Sequence, residues 1–294
     1  MTIRLTRRSV ILLTLTLCAA APLHASADDT IERGLALLQD GNYQEAAELF
    51  SRQRQAADPN DSDSQADLLF YSGLVQQHQA RGITDSDRRR DHLGRAVRHY
   101  RQALALRPRR AGTLLNLAEA HSDLGNYADA YQAYEAAIKA GGKSKGVYVL
   151  ALARYQERRG KLDEARANAL QAAELQPGSK QAHDMVVRLH RPDKLAQLLS
   201  YLWKQEAGGY PKRAQATALA MLGWSEAQTT TRQQALTLVA ASLVHDNYAP
   251  REFATTSVGK TLRALRDDPE LGSAVRQLED CLLYTSPSPR DRYI

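Results

Sequence analysis

The sequence has almost no cysteine, and the two it contains lie near the ends of the chain. Cys18 and Cys281 are the only cysteines among its 294 residues. Both fall in segments that we expect to be missing from the mature native protein. We therefore expect a mature chain without disulfides, thiol chemistry or cysteine-ligated zinc.

Large aromatic residues and strand-forming residues are also scarce. The chain has 3 Phe and 2 Trp, and runs of Val, Ile and Thr, which favour strands, are short. Ala, Leu, Gln, Glu and Arg dominate instead, and all of them are good helix formers. With 43% hydrophobic and 24% charged residues, the composition is that of an ordinary globular protein, and it predicts an all-α fold.

Residues 1–27 have the pattern of a secretory signal peptide. Three arginines precede an apolar run from Val10 to Ala21, and small residues lead up to a cleavage point after Ala27. The alternative is a lipoprotein signal lipidated at Cys18, although Leu17 stands where such signals prefer a small residue. Because the run is shorter than the roughly 20 residues of a bilayer-spanning helix, we expect a periplasmic or secreted protein with no membrane span after cleavage.

The last residues, 281–294, resemble a translated sequencing adaptor rather than evolved protein. They read CLLYTSPSPRDRYI, and we expect the native sequence to stop near Asp280 and the gene to be truncated there. Without this tail and the signal, 34 basic and 32 acidic residues remain, and the formal charge falls from +6 to about +2. The high isoelectric point is thus no argument for nucleic-acid binding, and we expect no nucleic-acid partner.

A helix-turn-helix pattern recurs with a period of about 34 residues. It is clearest in GLALLQDGNYQEAAELF, LAEAHSDLGNYADAYQAYEAAI and LARYQERRGKLDEARANALQAAELQP, which are Gly34–Phe50, Leu117–Ile138 and Leu152–Pro177. The first helix of each unit has a small residue where it crosses the second: Gly34, Gly73, Ala118 and Ala153. Three turns contain a glycine, which tolerates positive φ: Gly41, Gly125 and Gly160.

Further matched positions follow each turn. An apolar residue two positions after the glycine is expected to plug the turn: Tyr43, Tyr127 and Leu162. The second helix then has a small residue that allows close approach: Ala46, Ala96, Ala130 and Ala165. A large side chain follows four positions later, at helical spacing, with Ala169 as a weaker fourth member: Phe50, Tyr100 and Tyr134.

These positions make the chain similar to tetratricopeptide repeats. The resemblance implies an all-α, right-handed superhelical α-solenoid, with four repeats at about 28–60, 66–110, 111–144 and 146–180. The second repeat has an insertion, 81–92, which we expect to extend the turn between its helices. Residues 182–280 are predicted to continue and cap the array as degenerate helical repeats; the alternative is a separate small helical domain.

In this family the first helices of the repeats line a groove that holds a peptide or a helix of a partner protein. The repeat register places nine residues of this chain in that groove: Tyr71, Gln77, His78, Asn116, Glu119, Asp123, Arg154, Glu157 and Arg158. A separate basic patch lies in and after the insertion: Arg88, Arg89, Arg90, Arg95 and Arg98. We interpret the patch as a solvated helix face; docking of an acidic partner is the alternative.

No motif in the sequence predicts catalysis, a metal site or a cofactor. Histidine pairs are seven residues apart, about 10 Å along a helix, and no zinc-protease or serine-hydrolase motif occurs. We therefore predict a non-catalytic periplasmic scaffold for protein–protein interaction, in an envelope, secretion or polysaccharide-export assembly. The alternative is the N-terminal recruitment region of a larger truncated enzyme, for example a peptidase. The sequence leaves the oligomeric state open.

Overall fold

A computed structural model describes residues 27–191, 193–224, 227–243 and 255–284. The predicted signal peptide, with Cys18, lies outside the described residues except for Ala27, as do residues 285–294 of the predicted tail. All regular structure in the described ranges is helical, with fourteen α-helices and one 3₁₀ turn. The predicted all-α class is confirmed.

The chain divides into two compact units between Ala130 and Tyr131, and each is described by itself. The helices up to this division are α1 (Ala27–Gln39), α2 (Tyr43–Ala56), α3 (Ser62–Arg81), α4 (Ser86–Leu106), α5 (Ala111–Asp123) and the start of α6 (Tyr127–Ala140). In unit 1, α1 packs on α2, α2 on α3, α3 on α4 and α4 on α5. Contact between neighbours in sequence is the arrangement of a helical solenoid.

Unit 2 contains the rest of α6, a 3₁₀ turn at Gly142–Ser144 and eight further helices. These are α7 (Lys145–Arg158), α8 (Leu162–Leu175), α9 (Lys180–His190), α10 (Leu195–Ala207), α11 (Pro211–Met221), α12 (Thr229–Leu243), α13 (Ser257–Ala264) and α14 (Gly272–Tyr284). One buried core runs from Val149 to Val275. It passes through the boundary predicted near Gln181, so the described helices on the two sides of that boundary share one core.

The three predicted turn glycines all have positive φ, as the sequence pattern requires. Gly41, Gly125 and Gly160 have φ values of 78°, 81° and 73°. In each turn the next residue donates its backbone N–H to a carbonyl oxygen five positions earlier, at 2.8 to 2.9 Å. This bond satisfies one of the carbonyls left open at a helix C-terminus. The glycines therefore fix where the first helix of each pair ends.

The residues expected to plug these turns behave differently from the prediction. Tyr43 is half-buried against the core of unit 1, but Tyr127 and Leu162 are 42% and 46% exposed. All three are the first residues of their helices, so this position does not by itself bury the side chain. The prediction of an apolar plug is wrong for Tyr127 and Leu162.

Small and large residues face each other where paired helices cross. A methyl group added at Gly34 would lie 2.1 Å from Cζ of Phe50, and one added at Gly73 would lie 2.6 Å from Cε1 of Tyr100. Both rings are fully buried. The absence of a Cβ thus lets each aromatic ring rest directly on the backbone of the partner helix, as the repeat pattern predicts.

The insertion in the second repeat forms helix rather than turn. The connection between α3 and α4 is only Gly82 to Asp85, whereas α3 has 20 residues and α4 has 21. Asp85 is the N-cap of α4, and its side chain accepts from the backbone N–H groups of Asp87 and Arg88 at 2.9 and 3.0 Å. This cap begins the helix early, so the expectation that residues 81–92 extend the turn is wrong.

Two glycines of unit 1, one in a helix and one in a turn, allow their backbone conformations to be tested through stability. Gly94 lies in the middle of α4, and a methyl group there would meet nothing closer than the guanidinium of Arg98, at 3.9 Å. We expect Gly94→Ala to raise the free energy of unfolding by about 0.5 to 1 kcal/mol, because alanine favours helix. Gly41→Ala should lower it by about 1 to 2 kcal/mol, because φ is 78° there. Urea unfolding followed by circular dichroism measures both, and equal signs would contradict the prediction.

Candidate functional site

Of the predicted groove residues in unit 1, Tyr71 and His78 line a half-buried aromatic surface. Tyr71 stacks on Phe50, with ring centroids 5.5 Å apart and planes at 15°. The ring of His78 lies 6.1 Å from that of Tyr43. Burial, with a smaller contribution from the charge of Arg81, lowers the pKa of His78. Both side chains therefore pack mainly between α2 and α3.

Gln77 belongs to the core and not to a groove. Its side chain is 1% exposed, and its Oε1 accepts a hydrogen bond from the hydroxyl of Tyr100 at 2.8 Å. Burial also raises the pKa of Tyr100. The prediction that Gln77 contacts a partner is wrong, because the side chain points at α4 and serves as the acceptor for a buried tyrosine.

The three predicted groove residues of α5 have different surroundings. Asn116 donates from Nδ2 to the carbonyl of Gly112 in its own helix at 3.0 Å. Glu119 is partly exposed. Asp123 is exposed and lines a small cavity of about 200 Å³ with Arg89 and Arg90. The structure therefore brings Asp123 to the basic patch.

The basic patch lies on an exposed face of α4. All five of its arginines, Arg88, Arg89, Arg90, Arg95 and Arg98, are exposed. Arg90 pairs with Asp87 at 3.5 Å and Arg95 with Asp91 at 2.6 Å. Exposed pairs of this kind contribute about 0 to 1 kcal/mol each. The geometry fits a solvated helix face with interspersed acids.

In unit 2 the predicted groove residues of α7 lie against α9. Arg154 donates from Nη2 to Oε1 of Gln181 at 3.0 Å, and Glu157 forms an ion pair with Arg188. Arg158 is exposed on the same helix. Side chains of α7 and α9 thus form one continuous polar surface.

A cavity of about 470 Å³ opens next to this surface, between α9 and α11. Its walls are formed by residues of α9 and α11, by Arg191, which follows α9, and by Trp224 in the segment after α11. They are His183, Asp184, Val187, Arg188, Arg191, Thr217 and Trp224. The guanidinium of Arg191 lies over the indole of Trp224, 4.5 Å from the ring centroid, in a cation–π arrangement. The cavity therefore combines an apolar wall with positive charge.

His183 is a buried wall of the cavity and is held by both ring nitrogens. Nδ1 lies 3.0 Å from the hydroxyl of Tyr201, and Nε2 lies 3.0 Å from Oγ1 of Thr217. Burial, and next the positive charge of Arg213, lower the pKa of His183 to about 4. Because a neutral imidazole donates from one nitrogen and accepts at the other, His183 joins α10 to α11 as an uncharged group.

We name the surface made by these elements the α7–α11 face. Its members are Arg154, Glu157, Arg158, Lys180, Gln181, Asp184, Val187, Arg188, Arg191, Thr217 and Trp224. Sequence reasoning found only the three residues on α7, because the repeat pattern weakens after Gln181. Two signals for the rest are present: α9 starts three residues after Pro177, as α5 does after Pro108, and polar residues recur at helical spacing from Lys180 to Arg191.

The described ranges contain neither a cluster of metal-ligating side chains nor a helix that could span a membrane. Within these ranges no group of three or more His, Cys, Asp or Glu side chains is placed to hold a metal ion. No described helix combines the length and the apolar character that a bilayer crossing needs.

A comparison with protein families agrees with the repeat geometry. Residues 89–148 match the family model for the tetratricopeptide repeat. This segment covers the second helix of one pair, the whole of the next pair and the start of α7. Together with the buried small residues and the positive-φ glycines, the match shows that this part of the chain is similar to tetratricopeptide repeats.

The solved structures that are similar to this chain include the following two. One is the human IFIT1 dimer with m7Gppp-AAAA, at 16% identity and a TM-score of 0.42, with 90% of this chain and 61% of that chain covered. The other is a tetratricopeptide repeat protein from Parabacteroides merdae ATCC 43184, at 16% identity and a TM-score of 0.31, with 74% of this chain and 98% of that chain covered. The chain thus spans 61% of the length of the IFIT1 chain. No curated protein matches it.

Proposed function

We propose that this chain is a non-catalytic periplasmic scaffold that binds a segment of another protein on the α7–α11 face. The observation that carries the proposal is the continuity of this surface across three helices. Arg154 and Glu157 connect α7 to α9 through Gln181 and Arg188, and the cavity then extends the surface to Trp224. A surface that combines fixed polar groups with an apolar cavity suits recognition of a peptide.

The chemistry of the cavity supports binding rather than catalysis. A general base needs a free nitrogen within hydrogen-bond reach of its substrate. Both ring nitrogens of His183 are already hydrogen-bonded, to Tyr201 and Thr217, and the ring is buried. His183 therefore serves as a structural link, and the exposed groups around it are suited to holding a partner.

The cellular part of the proposal rests on the first 27 residues. Their arginines, apolar run and small residues have the pattern of an export signal. We propose that the processed chain works in the periplasm, as part of an envelope, secretion or polysaccharide-export assembly. Fractionation of cells that express the full chain tests this location, and recovery from the cytoplasm alone would contradict it.

A pair of triple variants tests the binding surface. In the first, Arg154, Arg188 and Arg191 of the α7–α11 face are replaced by alanine. In the second, the same number of arginines is removed from the basic patch, with Arg89, Arg90 and Arg98 replaced by alanine; both sets are exposed. The full chain is used to capture proteins from a periplasmic extract of the source bacterium, and the captured proteins are quantified by mass spectrometry.

We expect the first triple variant to reduce capture about tenfold and the second to leave it within about twofold, since a few central residues carry most binding energy. Thermal unfolding followed by circular dichroism checks that both variants fold. If capture falls equally with the two variants, binding depends on net charge rather than on the α7–α11 face. If only the basic-patch variant loses capture, the site lies on α4.

A further inference from the structure

The α7–α11 face carries more basic than acidic side chains. It has five basic side chains, namely Arg154, Arg158, Lys180, Arg188 and Arg191, and two acidic ones, Glu157 and Asp184. Each of the two acids is already paired within the face, Glu157 with Arg188 and Asp184 with Lys180. Because the basic side chains of this face outnumber its acidic ones, the face attracts a partner with acidic groups.

The cavity within this positive surface can hold an apolar side chain without leaving a polar group unpaired. Its volume of about 470 Å³ lies within the range of about 300 to 1,000 Å³ that is typical of ligand pockets. Val187 and the indole of Trp224 supply apolar wall. The hydroxyl of Thr217, which forms part of the polar wall, donates to the carbonyl of Arg213 at 3.2 Å and is bonded to His183.

Satisfied polar groups matter because burying an unsatisfied one costs about 1 to 3 kcal/mol. An apolar side chain entering the cavity displaces water but breaks none of the hydrogen bonds of His183 and Thr217. The guanidinium of Arg191, stacked on Trp224 at 4.5 Å, stands beside this cavity. It can therefore meet a carboxylate next to the inserted apolar group.

From this juxtaposition we infer that the α7–α11 face binds an acidic protein segment with one aromatic or branched apolar side chain, and that this side chain enters the cavity between α9 and α11. The inference rests on the proposed function and adds the chemistry of the partner. A single-stranded nucleic acid fits less well, because the one indole of this face provides little surface on which bases could stack.

Selection from a library of short random peptides, with blocked ends, tests the inference on the full chain. We expect the enriched peptides to carry Asp and Glu around one Phe, Trp, Leu or Ile. For the best peptide, Arg191→Glu should weaken binding about tenfold and Trp224→Ala about five- to tenfold. Replacing the apolar residue of the peptide by Ser should remove most of the effect of Trp224→Ala, because the two changes act on the same contact.

Lys143→Glu is the matched control, since it makes the same charge change at an exposed position in the 3₁₀ turn before α7. It should change the affinity by less than about twofold. Thermal unfolding of each variant separates loss of binding from loss of fold. A variant that unfolds is replaced by the conservative Arg191→Gln or Trp224→Leu.

The outcomes distinguish this inference from the proposed function. If the enriched peptides are basic or uncharged and still lose binding with Trp224→Ala, the face binds peptides and the inferred partner chemistry is wrong. If acidic peptides bind equally well to all variants, the site is wrong. If no peptide is enriched, or if a labelled single-stranded oligonucleotide binds the face more tightly than any peptide, both the inference and the proposed function are overturned.

Discussion

Gly73→Leu lowers the free energy of unfolding by about 3 kcal/mol or more, because no space exists for a side chain between α3 and α4. A Cβ at this position would lie 2.6 Å from Cε1 and 2.8 Å from Cδ1 of Tyr100. The ring cannot move away freely, since it is fully buried and its hydroxyl donates to Gln77 at 2.8 Å. Overpacking a filled core usually costs about 1 to 3 kcal/mol, and leucine adds four carbons here.

Urea unfolding of the full chain, followed by circular dichroism, measures this loss. Gly82→Ala is the control: it lies at the end of α3 with φ at −86°, and the nearest atom to an added methyl group is 3.9 Å away. It should change stability by less than about 0.5 kcal/mol. The double variant Gly73→Leu, Tyr100→Ala should recover part of the loss. An unchanged unfolding midpoint in Gly73→Leu would mean that the two helices are not in this contact.

Acidification should destabilise unit 2 through His183. The pKa of this group is lowered from its ordinary 6.5 to about 4 in the folded chain, first by burial and then by the charge of Arg213. As pH falls below 6.5, the unfolded chain takes up the proton before the folded chain does, so protonation favours unfolding. The stability that His183 supports is present above pH 6.5 and is lost as pH falls to about 4, with a total of about 3 kcal/mol.

The groups around His183 set the direction of this effect. Lys180 on α9 and Arg213 on α11 lower its pKa, and Asp184 on α9 raises it. Tyr201 on α10 is itself buried, and its pKa is raised to about 12, so it stays protonated throughout. We expect His183→Gln to flatten the dependence of stability on pH between 6.5 and 4, because the amide keeps hydrogen-bonding capacity without a titrating proton.

Urea unfolding at a series of pH values, followed by tryptophan fluorescence, measures the slope in the parent chain and in His183→Gln. His92→Gln is the control, since its half-buried ring lies in unit 1. His190 is also buried in unit 2, and burial lowers its pKa too, so a residual slope of the same sign remains in His183→Gln. Identical slopes in the parent and His183→Gln would refute the role assigned to His183.

The parts of the fold that depend on single backbone requirements could be predicted from the sequence. The repeat pattern predicts turns at Gly41, Gly125 and Gly160, because glycine adopts positive φ without strain, and all three have positive φ. The alanines of the second helices were placed in the core because of their spacing, and Ala46, Ala96, Ala130 and Ala165 are all 0% exposed. Only the size of the residue and its spacing determine these positions, and both can be read from the sequence.

Positions that depend on neighbouring helices could not be predicted in the same way. Gln77 has the register of a groove residue, but its burial follows from the hydroxyl of Tyr100, which needs an acceptor. Asp123 was assigned to the groove, and its cavity is shared with Arg89 because α4 is longer than the repeat pattern implies. The cavity beside His183 involves α9 and α11, where the repeat pattern of the sequence weakens, so no repeat register pointed to it.

The long pair formed by α3 and α4 has a consequence for how this chain can vary in length. Gly73 and Ala96 are 23 residues apart, whereas Gly34 and Ala46 are 12 apart, yet Tyr100 still rests on Gly73 as Phe50 rests on Gly34. The added residues pack against each other near the turn, where Nδ1 of His92 lies 2.9 Å from Oε1 of Gln76. Residues inserted at the tip of a helical hairpin lengthen both helices, and the added turns pack against each other. The crossing point of the two helices nearer the base is left unchanged. The tip of this hairpin is therefore a place where the repeat accommodates an insertion without repacking its core.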